Sequence, residues 1–430
     1  MTYQETLDYL YSQLPMYQRV GAVAYKSDLK NTLALCEALG NPQHRFKSVH
    51  IAGTNGKGSS SHMLAAVLQS AGYKTGLYTS PHLKSFTERI RINGQEIEAQ
   101  FVVDFVEEMK ETLEEVKPSF FEMTVAMAFK AFAEAEVDIA VIEVGLGGRL
   151  DSTNVIQPLV SLITNISYDH QNLLGNTLVE IAGEKAGIIK SHTPVVISEY
   201  QEEVAQVFQK KAAECEAPLY FARDFYQVHQ TDRSLGASHF AMERKADGAK
   251  LHFTLDLLGA YQEKNILGVL KVVELLAGLG FPVKEEALQE GLAHCTQISG
   301  LKGRWQVIQQ APWLVADTGH NEGGIRTIVQ QLGEYAYEKL YMVIGMVNDK
   351  KLDQVLALLP KEAHYIFCTA KIPRALPAKE LAQLAATFGL QGEVVDDVNA
   401  AVAYAQQVAN TKDFIFVGGS TFVVAELDDL

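Results

Sequence analysis

Short apolar runs alternate with segments of helical period along most of this chain. Residues 48–52, 75–79, 137–144, 160–164 and 194–198 are near-continuous apolar stretches, the pattern of strands buried on both faces. Residues 60–70 and 101–115 lie between such runs and carry apolar positions at helical spacing. Regular strand–helix alternation implies crossover connections in a parallel sheet. The second half repeats the theme, with strands predicted at 313–317, 340–347, 364–369, 393–398 and 413–417 and helices between them. The pattern therefore predicts an α/β protein: a P-loop-containing parallel-sheet N-terminal domain and a smaller Rossmann-like C-terminal domain. The boundary falls at Ile298-Ser299-Gly300, giving domains 1–298 and 299–430. Residues 223–259 are polar with short alternating runs and read as an antiparallel excursion.

Composition narrows the classes. A chain of 430 residues accommodates two or three domains, and 47% hydrophobic with 21% charged residues is ordinary for a soluble protein. The formal net charge of -15 argues against nucleic-acid or membrane partners, which call for a basic face. The most apolar long stretch, 266–281, is interrupted by Lys271 and Glu274 and reads as an amphipathic helix. Cys36, Cys215, Cys295 and Cys368 are far apart, which indicates neither a disulfide framework nor a zinc site. The polar N-terminus does not resemble a secretory signal, so a cytoplasmic protein is expected.

The first chemical motif is Gly53-Thr54-Asn55-Gly56-Lys57-Gly58-Ser59, between a strand and a helix. Glycines there let backbone N–H groups approach phosphate oxygens, and the helix N-terminus adds partial positive charge. Lys57 can reach the β and γ phosphates. The match to Gly-x-x-x-x-Gly-Lys-Ser/Thr is imperfect, because Gly58 occupies the hydroxyl position; Ser59 or Ser60 can supply a hydroxyl instead. A tight βα turn whose glycines only avoid clashes is the plain alternative.

Further polar groups follow other strands, where ligands bind in open α/β sheets. These are Ser80 in Thr79-Ser80-Pro81-His82, Glu143 before Gly145-Leu146-Gly147-Gly148-Arg149, Asp169-His170, and Glu184-Lys185. An acid in an apolar run is costly unless paired or coordinated, which makes Glu143 the best Mg²⁺ ligand candidate, with a Ser80 hydroxyl beside it. By composition alone His170 reads as a core histidine and Lys185 as a surface lysine. His50, His62 and His364 read as structural or solvated. The acids between Glu107 and Glu115 read as a solvated helix face.

Taken together, these segments resemble the folylpolyglutamate and dihydrofolate synthases of the Mur-ligase superfamily. The resemblance rests on the phosphate loop, Thr79-Ser80-Pro81-His82 with Glu88-Arg89-Ile90, Phe121-Glu122 with Thr124, 143–151, Asp169-His170, and Glu184-Lys185-Ala186-Gly187. It continues through Tyr261-Gln262 with Asn265, Gly303-Arg304, Asp317 with His320-Asn321, and Gly419-Ser420. It implies ATP as cosubstrate, bound by Gly56, Lys57, Gly58, Ser59, Asn265, Arg304 and Asp317. It implies two Mg²⁺ ions, with Ser80, Glu143 and His170 as ligands and a carbamylated Lys185 serving the second. Lys57, Lys185 and His320 would be catalytic, His320 near the phosphates or the glutamate site. Phe120, Phe121, Glu122, Met123 and Asp151 would lie near the pterin, although Phe120-Phe121 could be simple core. The partners implied are ATP, glutamate and a folate, taken by a monomer. One departure stands out: the family usually reads Asp-Gly-Ala-His-Asn where this chain has Asp317-Thr318-Gly319-His320-Asn321.

The reaction implied is ATP-dependent ligation of L-glutamate to a folate carboxylate through an acyl phosphate, with closure of two domains keeping water away. Three other readings remain: dihydropteroate as the acceptor, alone or as a second activity; another Mur-type acceptor; and a nucleotide-binding module without catalysis. Only about fifty residues precede the phosphate loop, too few for a nucleotide-sugar domain. The complete set Lys57, Glu143, His170, Lys185, Asp317 and His320 speaks against a non-catalytic module.

Overall fold

The computed structural model describes residues 1–16, 21, 28–234, 236–348 and 352–430. They form two compact units. The first comprises Met1–Ile166, Gln171–Asp256 and Gln262–Leu301; the second comprises Ser167–His170, Leu257–Tyr261 and Lys302–Leu430. A linear division after residue 298 assigns the two short inner segments to the first domain, whereas they pack with the second unit.

The first unit is built on β1 (Lys47–Ala52), β2 (Thr75–Tyr78), β3 (Ile90–Ile92), β4 (Gln95–Glu96), β5 (Ile139–Glu143), β6 (Val160–Ile163), β7 (Val195–Ile197) and β8 (Leu219–Phe221). Their order is β4-β3-β2-β5-β1-β6-β7-β8. From β2 to β8 the pairing is parallel, while β3 and β4 add an antiparallel edge. β5 and β6 are buried along their whole length, as continuous apolar runs require. β1 is central, so its carboxyl end opens between those of β5 and β6.

The helix after β1 spans Lys57–Ser70, starting three residues before the apolar period predicts, because its first turn is polar phosphate loop. It is buried from Gly58 to Leu68. The helix Glu285–Ala293 crosses it so closely that a Cβ on Gly291 would come within 2.5 Å of Val67 Cα. In helix Ala99–Val116, Val102, Phe105, Val106, Met109 and Leu113 face inward, while Glu107, Glu108, Glu111, Glu114 and Glu115 stay exposed. The segment 223–259 contains an antiparallel sheet of β9 (Tyr226–Ser234), β10 (Ala237–Arg244) and β11 (Ala249–Leu255). The stretch 266–281 lies in helix Gln262–Gly278 and its exit, and no helix among the described residues is long and apolar enough to cross a membrane.

The second unit has β12 (Gln306–Gln310), β13 (Trp313–Ala316), β14 (Leu340–Ile344), β15 (His364–Phe367), β16 (Gly392–Val394) and β17 (Phe414–Gly418), ordered β12-β13-β17-β14-β15-β16. All pairings are parallel except that of β12 with β13. The predicted strand 393–398 is a correction: β16 stops at Val394, and Asp397 caps helix Val398–Val408 by accepting from Ala400 N at 3.0 Å. An aspartate before an apolar helical run is a start signal that outweighs the local apolar content.

The three histidines read as structural or solvated fall as follows. His62 is buried on Ser299 Oγ at 2.9 Å, and His364 pairs with Glu393 at the surface. His50 is fully buried in β1, with Nε2 2.8 Å from Thr153 Oγ1. Burial pushes its pKa from 6.5 down to about 3, helped by the charge on Lys190. The unfolded chain takes a proton near pH 6.5 and the folded chain does not, so stability must fall as pH drops from about 6.5 toward 3. We expect His50→Gln to lose about 2 kcal/mol less stability than the wild type between pH 7 and pH 5, measured by chemical denaturation. Equal losses in both proteins would refute the assignment.

Candidate active site

In the first unit the phosphate loop is fixed to the end of β6. Thr54 N donates to Asn165 O at 2.8 Å, Asn55 N to Asn165 Oδ1 at 2.8 Å, and Thr164 Oγ1 to Asn55 O at 2.6 Å. Gly53 has φ 146° and Gly56 has φ 86°, conformations that side chains resist. A Cβ on Gly53 would sit 1.8 Å from Thr164 Oγ1, and one on Gly56 2.3 Å from Asn265 Oδ1. The helix opens at Lys57, so the first-turn N–H groups of Lys57, Gly58 and Ser59 have no intrahelical acceptor. An anion at that end would meet those donors and the positive pole of the helix.

Two lysines meet on this loop. Lys57 Nζ donates to Gly53 O and Thr54 O, both at 3.1 Å, and Lys185 Nζ donates to the same Gly53 O at 2.9 Å. Lys185 is buried, not at the surface as composition alone suggests. The local packing explains its position. Arg149 N donates to Glu184 O at 2.8 Å, and Asn154 Nδ2 bonds both Arg149 O and Gly187 O. Gly148 and Gly187 permit that contact: a Cβ on Gly148 would lie 2.8 Å from Glu184 O, and one on Gly187 2.3 Å from Arg149 Cβ. The glycines of 145–149 and 184–187 thus press one segment onto the other and deliver Lys185 to the loop.

Asn265 lies against Gly56 and donates to Gln262 Oε1 at 2.8 Å, while Gln262 Nε2 donates to Ser59 Oγ at 3.1 Å. Gly56, Lys57, Gly58, Ser59 and Asn265 are therefore brought together. The Ser59 hydroxyl is fully buried on Gln262, so it is engaged within the protein. Glu143 ends β5 and is buried, next to the loop's own strand in the β1–β5 register. Ser80 follows β2 and is half-buried. The segment after it is stiffened by Glu88, whose carboxylate accepts from Leu83 N, Lys84 N and Ser85 N at 2.8, 2.9 and 3.0 Å. His82 Nδ1 accepts from Arg89 Nε at 2.7 Å, and burial with that neighbouring charge pushes its pKa down to about 2.

Asp151 is buried and turned inward. It accepts from Leu146 N at 2.8 Å and from both the backbone and hydroxyl of Thr153, capping the short helix Ser152–Val155. Burial raises its pKa, against the pull of those hydrogen bonds. The segment 120–123 divides. Phe120 packs on Tyr11 and Phe86, Met123 is fully buried, and Glu122 accepts from Ser119 N at 2.6 Å in a capping box at the start of helix Phe120–Glu134. Only the ring of Phe121 remains half-buried, lying over Gly145 beside Tyr78. The spacing Ser119-x-x-Glu122 is itself the capping signal, and it accounts for one carboxylate oxygen of Glu122.

In the second unit Asp169 Oδ2 lies 3.2 Å from His320 Nε2 and accepts from Asn321 Nδ2 at 3.0 Å. His320 Nδ1 faces Thr318 O at 2.9 Å, and Asn321 caps helix Glu322–Leu332. His170 holds φ 49°, and its N–H donates to Asp169 Oδ1 at 2.9 Å. Asp317 is buried and accepts from Tyr261 OH at 2.6 Å, Trp305 N at 2.7 Å and Gly319 N at 2.7 Å. Burial raises the pKa of Asp317, against those bonds and the nearby Arg304 charge. Asp169 as a partner of His320 has no signal in the spacing, since about 150 residues separate them. Among the described residues there is no cluster of three or more His, Cys, Asp or Glu side chains able to hold a metal. Glu143 nevertheless offers the hard oxygen donor that Mg²⁺ prefers, and a Ser80 hydroxyl is of the same kind.

Two family models match this chain: the Mur ligase middle domain over residues 51–273 and the Mur ligase glutamate ligase domain over residues 303–421. A Bacillus subtilis (strain 168) protein named dihydrofolate synthase/folylpolyglutamate synthase is 31% identical over 436 residues, covering 99% of this chain and 98% of its own. The folylpolyglutamate synthase of Lacticaseibacillus casei is 35% identical over 390 residues, 88% of each chain. The chain belongs to the folylpolyglutamate/dihydrofolate synthase family of Mur ligases. Among solved structures it is similar to Escherichia coli FolC in complex with DHPP and ADP, with TM-score 0.86 and 29% identity over 99% of this chain and 96% of the other. The Mycobacterium tuberculosis folylpolyglutamate synthase complexed with ADP and AMPPCP gives TM-score 0.86 and 31% identity, covering 99% and 97%. By family this chain is a ligase, and its two α/β units match the architecture of those structures.

The tight packing at Gly53 gives a direct expectation. Gly53→Ala should lower unfolding stability by about 2 kcal/mol or more, because the new methyl meets Thr164 Oγ1 and the backbone conformation is strained. Thermal or urea unfolding checks it, and a neutral result would mean that the loop is not fixed to β6.

Proposed function

We propose that this chain catalyses ATP-dependent ligation of L-glutamate to a reduced folate or folylpolyglutamate, releasing ADP and phosphate. The observation that carries the reading is Lys57, held on Gly53 O and Thr54 O beside a helix N-terminus at the carboxyl end of β1. That is a site built for a polyanion. The ADP complexes of the Escherichia coli and Mycobacterium tuberculosis relatives support ATP as the polyanion.

The reaction passes the γ-phosphoryl group of ATP to the folate carboxylate. The α-amine of glutamate then attacks the acyl phosphate carbonyl, and phosphate leaves. Such transfers depend on positioning and charge neutralisation. Lys57 and the first-turn N–H groups hold the phosphates, Asn265 borders the loop at Gly56, Arg304 binds phosphate and Asp317 contacts the nucleotide. His320 acts near the phosphates or the incoming glutamate. Phe121 presents the ring available to the pterin, and Asp151 shapes that wall through its hydrogen bonds to Leu146 and Thr153. Ser80, Glu143 and His170 would hold Mg²⁺, which when bound neutralises phosphate charge. A carbamate on Lys185, formed when the neutral amine adds CO₂ and loses a proton, would turn a cation into a carboxylate-like ligand for a second ion. Dihydropteroate is the second acceptor to consider, since the Bacillus subtilis relative carries both activity names.

ADP release with ATP, Mg²⁺ and glutamate should depend on added tetrahydrofolate, and release with dihydropteroate as well would make the enzyme bifunctional. Lys57→Ala should lower turnover on the order of a hundredfold or more with the fold intact. Silence with both acceptors, or wild-type turnover in that variant, would overturn the reading.

For Lys185, ¹³C-bicarbonate should give a carbamate NMR signal that Lys185→Gln abolishes. An unchanged signal in that variant would place the carbamate elsewhere.

A further inference from the structure

The loop after β13 departs from the family pattern at Thr318, and the structure gives that side chain a task. Thr318 is buried. Its backbone N–H and its hydroxyl both donate to Gly303 O, each at 3.1 Å. Its Oγ1 accepts from Arg304 Nη1, which also reaches Gly303 O at 3.3 Å. A hydroxyl has one proton and two lone pairs, so donating to Gly303 and accepting from Arg304 are compatible. The three groups close a small triangle around one corner of the guanidinium.

The backbone on either side of Arg304 is already fixed. Gly303 has φ 69° and donates its N–H to Gln306 Oε1 at 2.8 Å. Trp305 holds φ 46°, a conformation an aromatic residue rarely adopts. Asp317 Oδ2 takes the Trp305 N–H at 2.7 Å, and the indole Nε1 donates to Tyr335 OH at 3.0 Å. What this frame leaves variable is the long side chain of Arg304, and its Nη1 end is the part that Thr318 holds. The remaining N–H groups of a guanidinium, on Nε and Nη2, form the fork that grips a phosphate through two parallel bonds.

We propose that Thr318 is a positioning residue for Arg304: its hydroxyl anchors Nη1 so that the guanidinium meets the nucleotide phosphates already oriented. A glycine at this position, as in the usual family pattern, has no group to do so. The inference rests on the reading of Arg304 as a phosphate-binding residue, and the experiment separates the two. It uses the full-length enzyme and measures ADP affinity by calorimetry together with KM for ATP and kcat.

Thr318→Val keeps the shape and removes the hydroxyl. It should weaken ADP binding and raise KM for ATP about tenfold while changing kcat much less. Thr318→Ser restores the hydroxyl without the methyl and should return both to near wild-type values. In an Arg304→Ala background, Thr318→Val should add no more than about a twofold loss, because its effect passes through the guanidinium. Wild-type affinity in Thr318→Val would overturn the proposal. So would a Thr318→Ser variant as weak as Thr318→Val, or a full additional loss in the Arg304→Ala background, both of which mark a packing role. Arg304→Ala with unchanged ADP affinity would overturn the assignment of Arg304 itself, and the positioning role with it.

Discussion

The oxygen of Gly53 is the point on which the first unit's chemistry depends. It receives Lys57 and Lys185 together, and its own residue cannot carry a side chain without striking Thr164. A carbonyl oxygen is a weak partner for two ammonium groups. A phosphate or carboxylate offers full charge in place of a partial one, so an anion at the loop competes well for Lys57. The loop that presents this oxygen is fixed by the protein's own contacts, through Thr164, Asn165 and the positive-φ glycines. Preorganisation of this kind means that the donors need not be reoriented as phosphoryl transfer proceeds.

The acids show the opposite use of charge. Asp151, Glu122 and Asp317 accept hydrogen bonds from backbone N–H groups of their own neighbourhoods. A buried carboxylate without partners would be expensive: Asp151 and Asp317 each accept three hydrogen bonds, and Glu122 is held through Oε2 by Ser119 N and Asn31 Nδ2. Their first effect is to hold loops: Asp151 the turn after Gly148, Glu122 the start of a helix, Asp317 the strained backbone at Trp305. Any contact they make with a ligand comes on top of that framework, so a substitution at Asp317 changes the Arg304 loop as well as any bond to nucleotide.

How much of this was legible in the sequence follows from the range of the forces involved. Most parallel strands of both sheets announced themselves as continuous apolar runs, whereas β8, only half-buried, did not. The phosphate loop was legible because glycine and lysine at that spacing serve local backbone geometry. β16 was read too long because Asp397 acts as a cap rather than as a strand end. Ser119, three residues earlier, marks Glu122 as a capping partner as well, a signal the motif resemblance does not carry. Composition hid the burial of Lys185, since only the contact of the Gly148 and Gly187 segments carries it inward. The Asp169–His320 contact joins residues far apart in the chain, and no local pattern encodes such a pair. The motif resemblance placed His320 and Lys185 among functional residues but carried no information about what holds them.

Thr318 shows how a departure from a family pattern becomes informative once geometry is known. In the sequence it is a substitution in the middle of a motif, with a consequence for backbone conformation as its visible risk. In the structure Gly319 N donates to Asp317 Oδ1 at 2.7 Å, which closes the turn. The added side chain instead reaches Arg304 on the neighbouring loop. A chain with a net charge of -15 works against its own anionic substrates at long range, and salt screens that repulsion beyond roughly one Debye length, about 8 Å in physiological buffer. Affinity for phosphate must then come from cations held in place at contact distance. A lysine on a carbonyl and an arginine on a hydroxyl are two ways of holding them there.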